Sequence, residues 1–151
     1  MKKKITLIAS FSFVIDQIIK YLFSNVITGF VLIPNFVSFV YAENEGVAFS
    51  MLSGSRLFII AASIVLLFVL FYMLKSDIKN NKYQNLLSIS YGFLIGGILG
   101  NLVDRIIRGY VVDYVSLKII TYNFPIFNLA DVLITIGVIL LIIYNIKNEK
   151  K

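Results

Sequence analysis

Residues 124–146 read FPIFNLADVLITIGVILLIIYNI, an apolar run interrupted near its start by one carboxylate, Asp131. The run is close to the ~20 residues that a helix needs to cross a bilayer. An Asp at the centre of such a helix costs about 2.5 to 3.5 kcal/mol on insertion scales. That cost asks for a compensating partner or a function. The rest of the chain decides which.

The chain has 151 residues, 59% hydrophobic and 15% charged, with a mean hydropathy of +0.90. This is too apolar for a water-soluble domain and points to an integral membrane protein. Three further runs resemble the first, so the predicted spans are 5–23, 57–74, 83–103 and 127–146. No repeat, low-complexity stretch or soluble domain interrupts them, and the expected organisation is a single membrane domain over 1–151.

The net charge of +6 is placed for lipid headgroups rather than nucleic acid. Lys2, Lys3 and Lys4 precede the first run, Lys75, Lys79 and Lys82 separate the second from the third, and Lys147, Lys150 and Lys151 follow the last. Under the positive-inside rule both termini are cytoplasmic, and the segments 24–56 and 104–126 face outward. The N-terminal MKKKITLIASFSFVI imitates a secretory signal, but no small-x-small site ends it and DQIIKYLF continues the helix, so a retained span is expected. The outer segments NFVSFVYAENEGVAFSML and GYVVDYVSLKIITYNF are rich in aromatic and β-branched residues and predict short strands forming a small sheet at the membrane surface.

The absence of Cys and His removes thiol nucleophiles, imidazole bases, disulfides and Cys/His zinc sites, and argues against the protein being itself a lipoprotein. Chemistry is left to carboxylates, hydroxyls and lysine. Asp77 and Glu149 fall on the cytoplasmic side, and Glu43 and Glu45 in the first outer loop. Asp16, Asp104, Asp113 and Asp131 gather toward the outer leaflet. At ~1.5 Å per residue, Asp16 stands about 16 Å up span 1 and Asp131 about 22 Å up span 4, and Asp104 caps the outer end of span 3.

Plain structural roles compete for most of these. Asp16 and Lys20 are spaced i,i+4 and read as an internal ion pair. Asp104 has Arg105 beside it as an expected ion-pair partner, and Asp113 could be an exposed strand residue. Asp131 has no cation within a helical turn and needs a partner elsewhere. Gly92, Gly96 and Gly100 recur every four residues and predict close helix packing, which turns Asn101 toward the bundle. Asn128, three residues before Asp131, falls on about the same helix face.

Two adjoining carboxylates that share one proton can activate a water and polarise a peptide carbonyl without a covalent intermediate. The residues therefore suggest a membrane aspartyl hydrolase. They do not choose between Asp104 and Asp113 as the partner of Asp131, although span placement slightly favours Asp104. Two other readings are a Ser-Lys hydrolase using Ser116 with Lys118 or Ser24 with Lys20, and a small proton-coupled transporter lined by Asp16, Lys20 and Asp131. Against the transporter, no polar relay crosses the bilayer.

Five ordered stretches, DQIIK, NEGVAFS, GGILGNLVDR, VVDY and FNLAD, closely resemble bacterial lipoprotein signal peptidase, or signal peptidase II, over nearly the whole chain. The resemblance implies four transmembrane helices with a small extracellular β-sheet cradle. It implies an aspartyl endopeptidase that removes signal peptides from diacylglyceryl-modified prolipoproteins just before the lipidated Cys. It assigns Asp113 and Asp131 as the catalytic dyad. Asn44, Gly46, Asn101, Arg105 and Asn128 contact or support the substrate, and Asp16, Lys20 and Asp104 support the structure. No metal or organic cofactor is expected. The expected partners are the prolipoprotein and membrane lipid, with no nucleic acid, and the expected state is a monomer. Sensitivity to globomycin is implied. Tyr114 departs from the family, where Phe is more usual.

Overall fold

A computed structural model describes residues 1–46, 51–78 and 83–149. The motif residues 47–50, and Lys79, Lys82, Lys150 and Lys151 of the basic clusters, lie outside the described residues. The elements run α1 (Lys2–Asn25), β1 (Phe30–Ile33), β2 (Val37–Asn44), α2 (Arg56–Asp77), α3 (Gln84–Ile107), β3 (Val111–Ile119), β4 (Tyr122–Asn123) and α4 (Leu129–Glu149). All four helices are long and apolar enough to cross a membrane. The strands that connect α1 to α2 and α3 to α4 form one antiparallel sheet, ordered β1-β2-β3-β4, at one end of the bundle. The expected four-helix architecture with a small sheet is what the chain adopts.

α3 is the central helix, buried along most of its length, with both α1 and α4 packed closely against it. Its glycines make both contacts possible. A Cβ on Gly96 would lie 2.7 Å from the carbonyl oxygen of Ala9 in α1, and one on Gly97 would lie 2.7 Å from that of Ala130 in α4. Gly100 leaves the room that the Asp16 carboxylate occupies. α1 meets this surface with Ile5, Ala9, Ser12, Asp16, Lys20 and Phe23, a three-to-four-residue stripe that carries two charges inward with the apolar groups.

α2 buries only Ile59, Leu70 and Leu74. At its sheet end, Arg56 donates from Nε to the Arg105 carbonyl (2.8 Å) and from Nη2 to that of Ile106 (2.9 Å). It thereby satisfies carbonyls that the end of α3 leaves without helical partners. The outer faces of the helices expose Leu7, Phe11, Phe68 and Tyr72, among others. Such faces are stable against lipid tails, where every backbone polar group is already bonded within its helix.

α3 runs one turn further than the predicted span and stops at Gly109, whose φ of +92° suits glycine. Asp104 therefore sits in the last turn of the helix instead of capping it. The hairpin between β1 and β2 turns at Pro34-Asn35, with Asn35 at φ 60° and Phe36 N–H bonded to the Ile33 carbonyl. Phe23 at the end of α1 stacks on Tyr114 of β3, with ring centroids 4.6 Å apart and planes 2° apart, and also on Phe39 of β2. Aromatic stacking thus fixes the sheet to the bundle beside Asp113.

Candidate active site

The start of α4 determines the geometry of the site. Asn128 precedes the first helical residue and caps it: its Oδ1 accepts the Asp131 backbone N–H (3.1 Å), and the Asp131 Oδ2 accepts the Asn128 backbone N–H (3.2 Å). This is a reciprocal capping box written as N-x-x-D. The expectation that Asn128 shares a helix face with Asp131 is corrected accordingly. Asn128 stands outside the helix, and its side chain turns across the N-terminus.

The other first-turn donors are satisfied from elsewhere in the chain. Leu129 N–H is bonded to the Tyr114 hydroxyl (2.9 Å), and Ala130 N–H to Asp16 Oδ1 (3.0 Å). β3 and α1 thus hold the turn that carries Asp131.

Asp113 lies opposite Ala42 in the β2–β3 register, and Asn44 is its diagonal neighbour on the same face. Asp113 is 2% exposed, so it is no surface strand residue. Its Oδ1 accepts from Asn128 Nδ2 (2.6 Å) and its Oδ2 from Asn44 Nδ2 (2.9 Å). Burial pushes its carboxyl up to about 6; the Asn44 hydrogen bond pulls the other way, and the Asp131 charge adds to the rise. Asp131 accepts from Asn101 Nδ2 at its Oδ1 (2.8 Å). Asn128 therefore bonds both carboxylates, one through its side chain and one through its backbone.

Both carboxylates line a cavity of about 770 Å³ between the sheet and helices α2, α3 and α4, together with Asn44, Asn101 and Arg105. Ile59, Ser63 and Leu66 of α2 form one wall, and Ile134 and Thr135 of α4 another. Gly46 N–H bonds to Asn44 Oδ1 (3.0 Å), an Asx turn that leaves the Asn44 amide nitrogen facing Asp113.

Arg105 does not pair with Asp104, contrary to the sequence expectation. Its Nη2 donates to the Gly46 carbonyl (2.6 Å) and its Nη1 to that of Asn101 (3.2 Å), and its buried Nε has no partner among the described residues. Adjacent residues on a helix point apart, so Asp104 turns toward α1. There Lys20 Nζ lies 2.8 Å from Asp16, 3.1 Å from Asp104 and 2.8 Å from Asn101 Oδ1. All three charged side chains of this cluster are fully buried. Arg108 reaches Asp104 from the opposite side (3.6 Å). The expected Asp16–Lys20 pair is thus part of a larger cluster.

Some contributors gave little sign in the sequence. Gln17 donates to the Gly100 carbonyl and to Asp104, and the Tyr114 hydroxyl serves α4. The capping box was readable, since N-x-x-D stands directly before an apolar run. Ser24 bonds the Lys20 carbonyl and accepts from Arg108, so it does not meet the Lys20 ammonium. Ser116 and Lys118 lie on β3 outside the cavity lining. Neither pairing supports Ser-Lys chemistry.

A family model described as signal peptidase (SPase) II matches residues 8–147. The lipoprotein signal peptidases of Staphylococcus aureus strains JH9 and Newman are each 39% identical over 145 residues, which is 94% of this chain and 87% of theirs. A solved structure described as a bacterial membrane enzyme, determined in meso at 2.3 Å resolution, matches with a TM-score of 0.84 at 37% identity, covering 99% of this chain and 90% of that one. A second, at 1.9 Å resolution, matches with a TM-score of 0.81 at 37% identity, covering 97% and 94%. With sequence and fold agreeing over nearly its full length, the chain belongs to the signal peptidase II family of membrane peptidases.

Proposed function

We propose that this protein is an aspartyl endopeptidase that cleaves the signal peptide from diacylglyceryl-modified prolipoproteins just before the lipidated Cys, with Asp113 and Asp131 as its dyad. The observation that carries the reading is the bonding of both carboxylates by Asn128 at the wall of one cavity. Asp113, whose proton is retained up to about pH 6, polarises the scissile carbonyl. Asp131 accepts two hydrogen bonds and acts as the base toward water. The Nε–H of Arg105, without a partner among the described residues, is a donor available to the substrate backbone.

The sheet faces outward and the Lys-rich ends lie in the cytoplasm. Lipid tails hold the modified Cys in the outer leaflet, which supplies the proximity term. The signal helix lies along the cavity walls that α2 and α4 provide. A gel-mobility assay on a diacylglyceryl prolipoprotein tests this: Asp113→Asn and Asp131→Asn should each abolish cleavage, and full cleavage by either would overturn the dyad.

A further inference from the structure

We infer that Lys20, acting through Asn101, is the positioning residue that makes Asp131 the base of the pair. The inference rests on the dyad reading above and goes beyond the structural role that the i,i+4 pairing with Asp16 suggests. An ammonium has three donors and no lone pair, so the atom of Asn101 facing Lys20 must be its carbonyl oxygen. Lys20 Nζ lies 2.8 Å from that oxygen, which also receives the Asn128 amide at 3.2 Å. With Oδ1 committed, only Nδ2 can face Asp131, 2.8 Å away. A flipped amide would set an N–H against the ammonium and an oxygen against the carboxylate.

The geometry of the ammonium shows that charge balance is only part of its role. Two of its protons serve Asp16 and Asp104, and the third is directed at Asn101. Lys20 and both carboxylates are fully buried, so no water replaces any of these contacts cheaply. The amides of Asn44 and Asn128 are oriented in the same way by backbone N–H groups, those of Gly46 and Asp131. Asn101 alone is oriented by a charged side chain, reached across the α1–α3 contact.

Other charges line the cavity with Asp131: Arg105 from α3, Asp113 from β3 and Glu43 from β2, while α2 contributes none and the Lys20–Asp16–Asp104 cluster meets the other end of the Asn101 amide. Asn101→Leu removes the amide without removing any of these charges.

The test is kcat and KM for a diacylglyceryl prolipoprotein across pH 5 to 9, on enzyme reconstituted in bilayers, for Lys20→Met, for Lys20→Met with Asp16→Asn, and for Asn101→Leu. The double variant keeps the buried cluster balanced if the single one fails to fold. In each folded variant kcat should fall by about thirtyfold or more with KM within about threefold. The acidic limb of the profile should move to higher pH by about one unit. Adding Lys20→Met to Asn101→Leu should move it no further.

Limbs that stay at the wild-type pH, with activity following only the folded fraction, would reduce Lys20 to a strut and overturn the inference; Asn101→Leu alone, which keeps Lys20 paired with Asp16 and Asp104, suffices for that outcome. Cleavage by Asp113→Asn or Asp131→Asn would instead overturn the dyad reading itself.

Discussion

Asn128 Nδ2 lies 2.6 Å from Asp113 Oδ1, and the oxygen of the same amide holds the N–H of Asp131. One side chain thus performs two separable tasks, capping α4 and restraining Asp113. Asn128→Ala removes both, and should lower stability by about 1 kcal/mol while greatly reducing cleavage. Asn128→Ser restores a capping oxygen but has no N–H to reach Asp113. Its melting temperature in detergent should return toward wild type while its kcat remains low.

The pH dependence follows from Asp113. Burial raises its carboxyl from 3.8 to about 6, so the proton-bearing form is present below that value and lost above it. kcat/KM should therefore fall about tenfold per pH unit on the alkaline side. Asn44→Ala deletes a hydrogen bond that favours the ionised form, and should shift this limb to higher pH. A raised carboxyl also makes folding stability decline as pH rises from 3.8 through about 6 and level off above, a decline that Asp113→Asn should lack. An alkaline limb indifferent to Asn44 would contradict the assignment of Asp113 as the acid.

Tyr114→Phe offers a mild test of the α4 cap. It restores the residue more usual in the family and keeps the stack on Phe23, but it leaves the Leu129 N–H without its acceptor. The expected loss is about 1 kcal/mol, read by thermal melting, with kcat changed far less than in Asn128→Ala.

Gly100→Ala probes the packing that makes room for charge. The new methyl would meet the Asp16 carboxylate, displacing both Lys20 and the Ala130 contact. A loss of about 1 to 3 kcal/mol is expected, together with reduced cleavage. Unchanged melting would mean that α1 and α3 can separate at no cost.

Much of this was legible in the sequence. Four apolar runs of bilayer length fixed the helices to within a few residues, because length and hydropathy are local properties. The two outer segments read as strands for the same kind of reason. The glycine stripe announced a close α3 contact, but not that Gly100 vacates space for Asp16, since the occupant comes from a helix eighty residues away. Chemistry alone left Asp104 and Asp113 unranked as partners of Asp131. What separates them is Lys20, which engages Asp104, and Asn128, which engages Asp113, and both contacts depend on tertiary structure. The pairing of Asp104 with Arg105 was misread because neighbours in sequence diverge on a helix. Asn128 was misplaced because the predicted span began at 127, two residues before the helix does, which counted a cap as a helical residue.

The first turn of α4 takes its hydrogen-bond acceptors from positions 16, 114 and 128. A membrane chain is made and inserted in order, so the earliest of these enters the bilayer long before the last span exists. The acceptors of that turn are therefore complete only once the last span has docked against both β3 and the first helix.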